Sequence, residues 1–268
     1  MSAVPKASFD AALAITYVGT ATAILHFDGV NLITDPVFSP AGKEWDFGGI
    51  VLKTLKSAAI GLADLPPIDA VLLSHEDHPD NLDEPGRQLL DGRHVLTTPD
   101  GASKLAPRPG VQALEPWRTV SLALGGRAFE ITGTPCVHLP GGEVTGFVVT
   151  APEFGRTGGL PNAIYFSGDT IYLPELADVK KKFHISVALI NIGKVIVPGT
   201  EPPLQITVGG ADAARLFRDI GADILVPMHF ESWAHFTENK EALAKELERE
   251  EVMDRVIFLE PGVRTKIV

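Results

Sequence analysis

The chain has 268 residues, 45% of them hydrophobic, which is ample for a sizeable core in one large domain or two small ones. Thirty-four acidic against 23 basic residues give a formal charge of −11, a field that repels polyanions, and the lysines at 180 to 182 are too short a run to reverse it. Nucleic acid is therefore excluded as an expected partner, and the absence of an 18-residue apolar run excludes an expected membrane span. The opening MSAVPKASFDAALA lacks the basic start, compact apolar segment and cleavage site of a secretory signal, and the single Cys136 permits no internal disulfide. A cytoplasmic, soluble protein is the expectation, and the sequence assigns it no oligomeric state.

In chain order, LAITYVG (13 to 19), TAILHFDG (22 to 29) and VNLITDP (30 to 36) are short β-rich runs separated by glycine, aspartate and proline, and read as a meandering sheet. IDAVLLS (68 to 74) reads as a buried strand. EPGRQLLDG (84 to 92) follows as a short helix with proline in its first turn and glycine at its end, and RHVLTTP as another strand. Residues 119 to 138 and 142 to 152 suggest hairpin strands, NAIYFSGD (162 to 169) a strand, and LPELADVKKKF (173 to 183) a helix leading into the strand ISVALINIG. A helix in TVGGADAARLFRDIG, a strand ADILVPMH and a helix TENKEALAKELEREE complete the pattern. No repeat or linker divides the chain, so residues 1 to 268 are expected to form one domain of two sheets covered by helices.

Four pieces carry the chemistry. VLLSHEDHPDNLD (71 to 83) places His75 at the carboxyl end of a strand, with Pro79 forcing a turn and Asp83 opening the next helix. Such a turn can point His75, His78 and Asp80 into one volume, the donor set of zinc, manganese or iron; the alternative is a solvated acidic loop whose Asp83 caps a helix. His138 in GTPCVHLPGG, Asp169 in YFSGDT and His229 in ILVPMHFESW each stand beyond a strand in the same manner. Singly they would be hydrogen-bonded structural histidines and a turn aspartate. The repeated placement at strand ends favours a shared site.

These blocks, with ITYVGTATAIL and LITDPVF, resemble the metallo-β-lactamase superfamily over nearly the whole chain, and within it the branch of L-ascorbate-6-phosphate lactonase. The resemblance implies an α/β fold, a four-layered αβ/βα sandwich, with a metal centre at the strand ends and hydrolysis by a metal-bound hydroxide. The family motif His-x-His-x-Asp-His is altered here. One extra residue between the first two histidines keeps His75, His78 and Asp80 and turns the last histidine into Asn81. By resemblance, His75, His78 and His138 hold a first metal, and Asp80, Asp169 and His229 a second, with Asp169 reaching both and Asp80 orienting the hydroxide or taking its proton. The cofactor is one or two divalent transition metals, zinc first, with manganese or iron as alternatives favoured by an oxygen-rich second site. Asn81 offers a neutral amide oxygen in place of an imidazole, Asp77 is an outer partner or alternative ligand, and Asp35 a support or a plain turn aspartate. Thr20 stands where many of these relatives carry histidine.

For the substrate pocket the candidates are Trp45, Phe47, Trp233 and His235 as an aromatic wall and Lys194 against an anionic group, with core packing or surface exposure as the alternative for each. Residues 38 to 62 read as a pocket cover or a static insertion. The expected substrate is a small ester, lactone or lactam; a phosphodiester, or a degenerate member that binds without turnover, are the competing readings.

Overall fold

The computed structural model describes residues 6–47 and 50–268; the side chain of Phe47 and the glycines at 48 and 49 lie outside the described residues. The strands run, in chain order, Ala14–Gly19 (β1), Thr22–Phe27 (β2), Val30–Thr34 (β3), Glu44–Phe47 (β4), Ile50–Lys53 (β5), Ala70–Leu72 (β6), His94–Thr97 (β7) and Val111–Ala113 (β8). They continue as Thr119–Leu124 (β9), Arg127–Pro135 (β10), Thr145–Thr150 (β11), Arg156–Thr157 (β12), Leu160–Phe166 (β13), His184–Asn191 (β14), Ile196–Val197 (β15), Leu204–Gln205 (β16), Ile224–Met228 (β17) and Arg264–Lys266 (β18). Four α-helices accompany them: Glu84–Leu89 (α1), Pro99–Leu105 (α2), Gly210–Asp219 (α3) and Lys240–Arg249 (α4).

Two seven-stranded sheets form the middle of the molecule. One has the order β18-β1-β2-β3-β6-β7-β8, antiparallel as far as β3 and parallel from β3 to β8. The other runs β17-β14-β13-β11-β10-β9, parallel from β17 to β13 and antiparallel beyond, with β12 paired to β13. Two small hairpins, β4–β5 and β15–β16, stand apart from the sheets.

The alternation of strand side chains explains the layering. Ile15, Leu25, Leu32 and Leu72 of the first sheet meet Phe129, Phe147, Ile164, Phe166, Leu189 and Val226 of the second in the central core. The intervening residues face outward and are covered by helices, so both faces of the inner strands are apolar. Ile24, Ile33, Val71 and Val95 pack with Leu89 of α1 and Leu105 of α2. Ala163, Tyr165, Ala188 and Leu225 pack with Leu216 and Phe217 of α3 and Leu243 and Leu247 of α4. Helix, sheet, sheet, helix is the four-layered arrangement expected.

The helix expected within residues 173 to 183 takes a tighter form than the other four. Residues Pro174–Lys181 form a 3₁₀ helix. Its buried contacts are Leu176 and Val179, three residues apart, and a three-residue turn brings both onto one face against the second sheet. The pairing of β4 with β5 and the helix α2 are additions that the sequence pattern did not disclose. Among the described residues no helix is long and apolar enough to cross a membrane.

Candidate metal centre

The polar groups gather where the parallel strands of both sheets end. β6 leads through Leu73 and Ser74 to His75; β13 leads through Ser167 and Gly168 to Asp169; β17 ends immediately before His229; and the loop after β10 carries His138. Gly168 has a φ of +58° and leaves no room for a Cβ, which would lie 2.6 Å from the Thr145 carbonyl oxygen. His229 itself sits at φ +61°, a left-handed conformation uncommon for a non-glycine residue, with its N–H donating to the Thr20 carbonyl at 2.8 Å. Thr20 thus anchors the loop that aims the imidazole.

His75, His78 and His138 form one buried cluster, and Asp80, Asp169 and His229 another; within each, one candidate ligand atom per residue lies within 4.8 Å of the other two. In the first, His75 Nε2 and His138 Nε2 approach His78 Nδ1 at 3.0 and 3.2 Å. The hydrogen positions follow from the far side of each ring. His138 Nδ1–H donates to the Ile206 carbonyl at 2.7 Å; His75 Nδ1–H donates to Ser74 Oγ at 2.8 Å, whose own proton goes to Asp35 Oδ2 at 2.7 Å. Both Nε2 atoms therefore present lone pairs to the same point. Nitrogens bound to zinc at about 2.0–2.1 Å in a tetrahedron lie about 3.3 Å apart, so this trio fits a metal. Burial, and the neighbouring histidines, keep His75 well below the usual imidazole range, and burial lowers His138 as well, so both rings stay neutral.

In the second cluster His229 Nε2 lies 3.4 Å from Asp169 Oδ2 and 3.5 Å from Asp80 Oδ2, too far and too poorly aligned for a hydrogen bond. Its other nitrogen donates to the Ile192 carbonyl at 3.2 Å. Burial alone would lower the pKa of His229, but Asp169 and Asp80 outweigh it and raise the value to about 9. The carboxylates call for positive charge at this point, and a divalent cation supplies it with the proton displaced. Burial works against the charge of Asp80 too, yet His229 and His235 hold its pKa well below the usual carboxylate range. Asp169 is fixed by Asn191 Nδ2, which donates to Oδ1 at 2.7 Å. The donor sets of both clusters fit divalent metals.

The remaining candidates spread out. Asp35 is fully buried and accepts from Ser74 N–H (2.6 Å), Ser74 Oγ and Asn81 Nδ2 (3.0 Å); burial, only partly offset by these donors, pushes its carboxyl up to about 7. Asn81 Nδ2 donates to Asp35 Oδ2, while its buried Oδ1 has no hydrogen-bond partner among the described residues. Asp77 is exposed beside His78 and belongs to neither cluster, although it lines one cavity together with His75, His78 and His138 and another with Trp45 and His78. Asp83 caps α1, accepting from Gly86 N–H at 2.8 Å. Trp233 is buried and donates to Thr20 Oγ1 at 3.1 Å, with Trp45 packed on it at 4.9 Å between ring centroids. Lys194 is exposed and lines no cavity described here. Among the described aromatic candidates His235 is the one hydrogen-bonded into the clusters: its Nε2 donates to Asp80 Oδ2 at 3.2 Å. Ser74 and Asn191 were missed by sequence reasoning, although both are polar residues closing apolar strands, the signal that marked Asp169 and His229.

A cavity of about 270 Å³ opens directly onto both clusters. His78, His138, Asp80, Asp169, His229 and His235 form its floor. Ile50 and Leu52 of β5, Leu139, Val195 to Pro198 around β15, and Ile206 form its walls.

This fold and this double cluster are those of a metal-dependent hydrolase. The β-lactamase superfamily domain matches residues 30–230, and the chain belongs to that family. A UPF0173 metal-dependent hydrolase of Methanopyrus kandleri is 25% identical over 262 residues, covering 92% of this chain and 97% of that protein. The mitochondrial N-acyl-phosphatidylethanolamine-hydrolyzing phospholipase D of Saccharomyces cerevisiae is 24% identical over 247 residues, 85% of this chain but only 50% of its own length. Among solved structures, isothiocyanate hydrolase from Delia radicum gut bacteria superposes with a TM-score of 0.75 at 19% identity, covering 94% of this chain and 98% of that one. A metallo hydrolase from the archaeon Ignicoccus hospitalis gives 0.71 at 19% identity over 95% and 98%.

Proposed function

We propose that His75, His78 and His138 bind one divalent metal and Asp80, Asp169 and His229 a second, zinc in the nitrogen-rich first site and zinc, manganese or iron in the second, and that the chain hydrolyses a small ester, lactone or lactam. The observation that carries this reading is the opening of both clusters onto one cavity. When bound, the ions supply Lewis acidity toward a water nucleophile and toward the electrophilic centre of the substrate. The chain's own groups do the rest. Asp80, held by His235 on one side and facing His229 on the other, accepts or holds the proton that the water gives up. Asn191 fixes Asp169, and the Asp35–Ser74 pair fixes the His75 ring, so the donors are aimed before substrate arrives. Ring opening of a cyclic ester, the chemistry of the lactonase branch, fits these parts without a serine nucleophile.

A phosphodiester is the second reading, supported by the likeness to the yeast phospholipase D over most of this chain; a member that binds without turnover is the third. Metal analysis of protein purified without chelator, followed by assays on lactones, esters, lactams and bis(p-nitrophenyl) phosphate with and without chelator, separates them. Chelator-sensitive opening of lactones or esters with little phosphodiester cleavage is expected. Faster phosphodiester cleavage would favour the second reading, and bound metal without any turnover the third.

A further inference from the structure

Resting on the hydrolase reading, we infer that the substrate carries an uncharged alkyl, acyl or aryl group that fills the cavity between the β4–β5 and β15–β16 hairpins, with its scissile bond over the two clusters. The division of the cavity is sharp. Every ionisable or imidazole-bearing lining residue lies on the floor, and the walls are Ile50, Leu52, Leu139, Val195, Ile196, Val197, Pro198 and Ile206, with Thr207 as the one hydroxyl. Among the described lining residues there is no lysine or arginine. A phosphate or carboxylate on the far end of a substrate would therefore meet aliphatic carbon, and Lys194, the nearest sequence candidate for an anion partner, lines none of this wall.

The wall is also incompletely covered. Ile50 and Ile196, on opposite hairpins, are each 37% exposed, and they are two of only six large hydrophobics exposed to this degree among the described residues. Two short hairpins outside the sheets thus hold apolar surface in water beside the clusters, and an apolar group seated between them removes that surface from solvent. The volume holds roughly nine water-sized groups at about 30 Å³ each, room for a scissile lactone ring and a tail of roughly three to four carbons. Burial of each methylene is expected to raise kcat/KM about fourfold until the cavity is full.

The test is a series with one scissile bond and a growing tail: γ-butyrolactone, γ-hexalactone, γ-octalactone and γ-decalactone, with a γ-lactone bearing a side-chain phosphate as the polar counterpart. Binding of straight-chain carboxylates from acetate to octanoate to the metal-loaded protein, by calorimetry, gives a readout independent of turnover. Expected are a kcat/KM that climbs about two orders of magnitude with tail length, a matching rise in carboxylate affinity, and poor use of the phosphorylated lactone. Leu52→Asp and Val197→Asp, on half-buried hairpin positions, should flatten both series while metal content stays at the wild-type level. Turnover with no dependence on tail length, or a preference for the phosphorylated lactone, overturns this inference and leaves the hydrolase reading standing. Affinity that climbs with chain length but no turnover of any lactone or ester overturns the carbonyl-hydrolase reading and leaves the apolar pocket standing.

Discussion

His235 Nε2 donates to Asp80 Oδ2 at 3.2 Å across 155 residues of sequence. This contact joins the loop after β17 to the turn after β6, and it places a second imidazole beside the carboxylate that also faces His229. The ring of His235 is packed edge-on between Trp233 and Phe236, at 5.8 and 4.6 Å between centroids, so its orientation is set by the aromatic stack. His235→Ala is therefore expected to lower kcat/KM by about 10–100-fold, the usual cost of losing a partner that orients a ligating group, chiefly through kcat and metal affinity. His235→Gln, which keeps an N–H donor, should recover part of the loss. A change in KM alone, with metal affinity and kcat at wild-type values, would reduce His235 to a wall of the pocket.

The register of the altered motif is open to a direct test. His78 Nδ1 lies at the meeting point of the three rings, whereas Asp77 is exposed and is a member of neither cluster. His78→Ala should lose metal from the first site and more than about 100-fold in activity. Asp77→Ala should lose little of either. Metal stoichiometry and kcat measured together decide it, and the reverse ranking would put Asp77 in the first site.

Much of this was legible before the fold was seen, because the signal was local. A polar residue directly beyond an apolar strand is both a sequence pattern and a spatial fact: parallel strands of one sheet end on one side, so Asp169 and His229 come together by topology in the second sheet, and His75 meets them from the facing end of β6 in the first. The contacts that tune them are not local. Asp35 reaches Ser74 and Asn81 from 39 and 46 residues away, and nothing in TDP distinguishes that carboxylate from a turn aspartate. The hairpin walls are legible only in part for a related reason: residues 38 to 62 read as a pocket cover or a static insertion, and Ile50 and Leu52 acquire meaning only beside the residues around β15 that line the same cavity. Trp233 is buried and Lys194 exposed, the packing and surface alternatives that the sequence leaves open for them, because composition marks an aromatic or a cation without saying which way it turns.

Asp35 supplies the third prediction. It accepts both Ser74 donors, and Ser74 Oγ in turn accepts from His75 Nδ1, so the tautomer of His75 is set two bonds upstream. Asp35→Asn swaps one acceptor oxygen for a donor facing donors. Metal affinity at the first site should fall by about 10–100-fold, with the fold retained by far-ultraviolet circular dichroism. Wild-type affinity in this variant would mean that the His75 ring is held by packing alone.

Metal removal should be felt in stability. Two buried carboxylates and four buried imidazoles converge in a small volume, and a ligand at 100 times its dissociation constant stabilises the folded state by about 2.7 kcal/mol. For a chain of this size that corresponds to a fall in Tm of roughly 5–10 °C on chelation. Zinc should restore it. An unchanged Tm after verified loss of metal would show that the cluster is held entirely by its surrounding hydrogen bonds.

Asn81 is where this chain departs from the family motif, and the geometry gives its replacement a definite outcome. A histidine there would restore the motif's last position and, on ligand chemistry alone, would be expected to tighten the second site. The side chain, however, is fully buried, and its Nδ2 is engaged in donating to Asp35 at 3.0 Å. An imidazole is larger than a carboxamide, and overfilling a packed position costs about 1–3 kcal/mol. It would also remove a donor from a carboxyl already pushed up to about 7 by burial. Asn81→His is therefore expected to lower Tm by several degrees and to leave the second-site metal affinity unchanged or weaker. Titration of zinc and manganese into metal-free wild type and variant, read as bound metal against free metal, measures this directly. A tighter second site in the variant would show that the loop turns to present position 81 to the metal, and would make the asparagine a ligand position vacated in this chain.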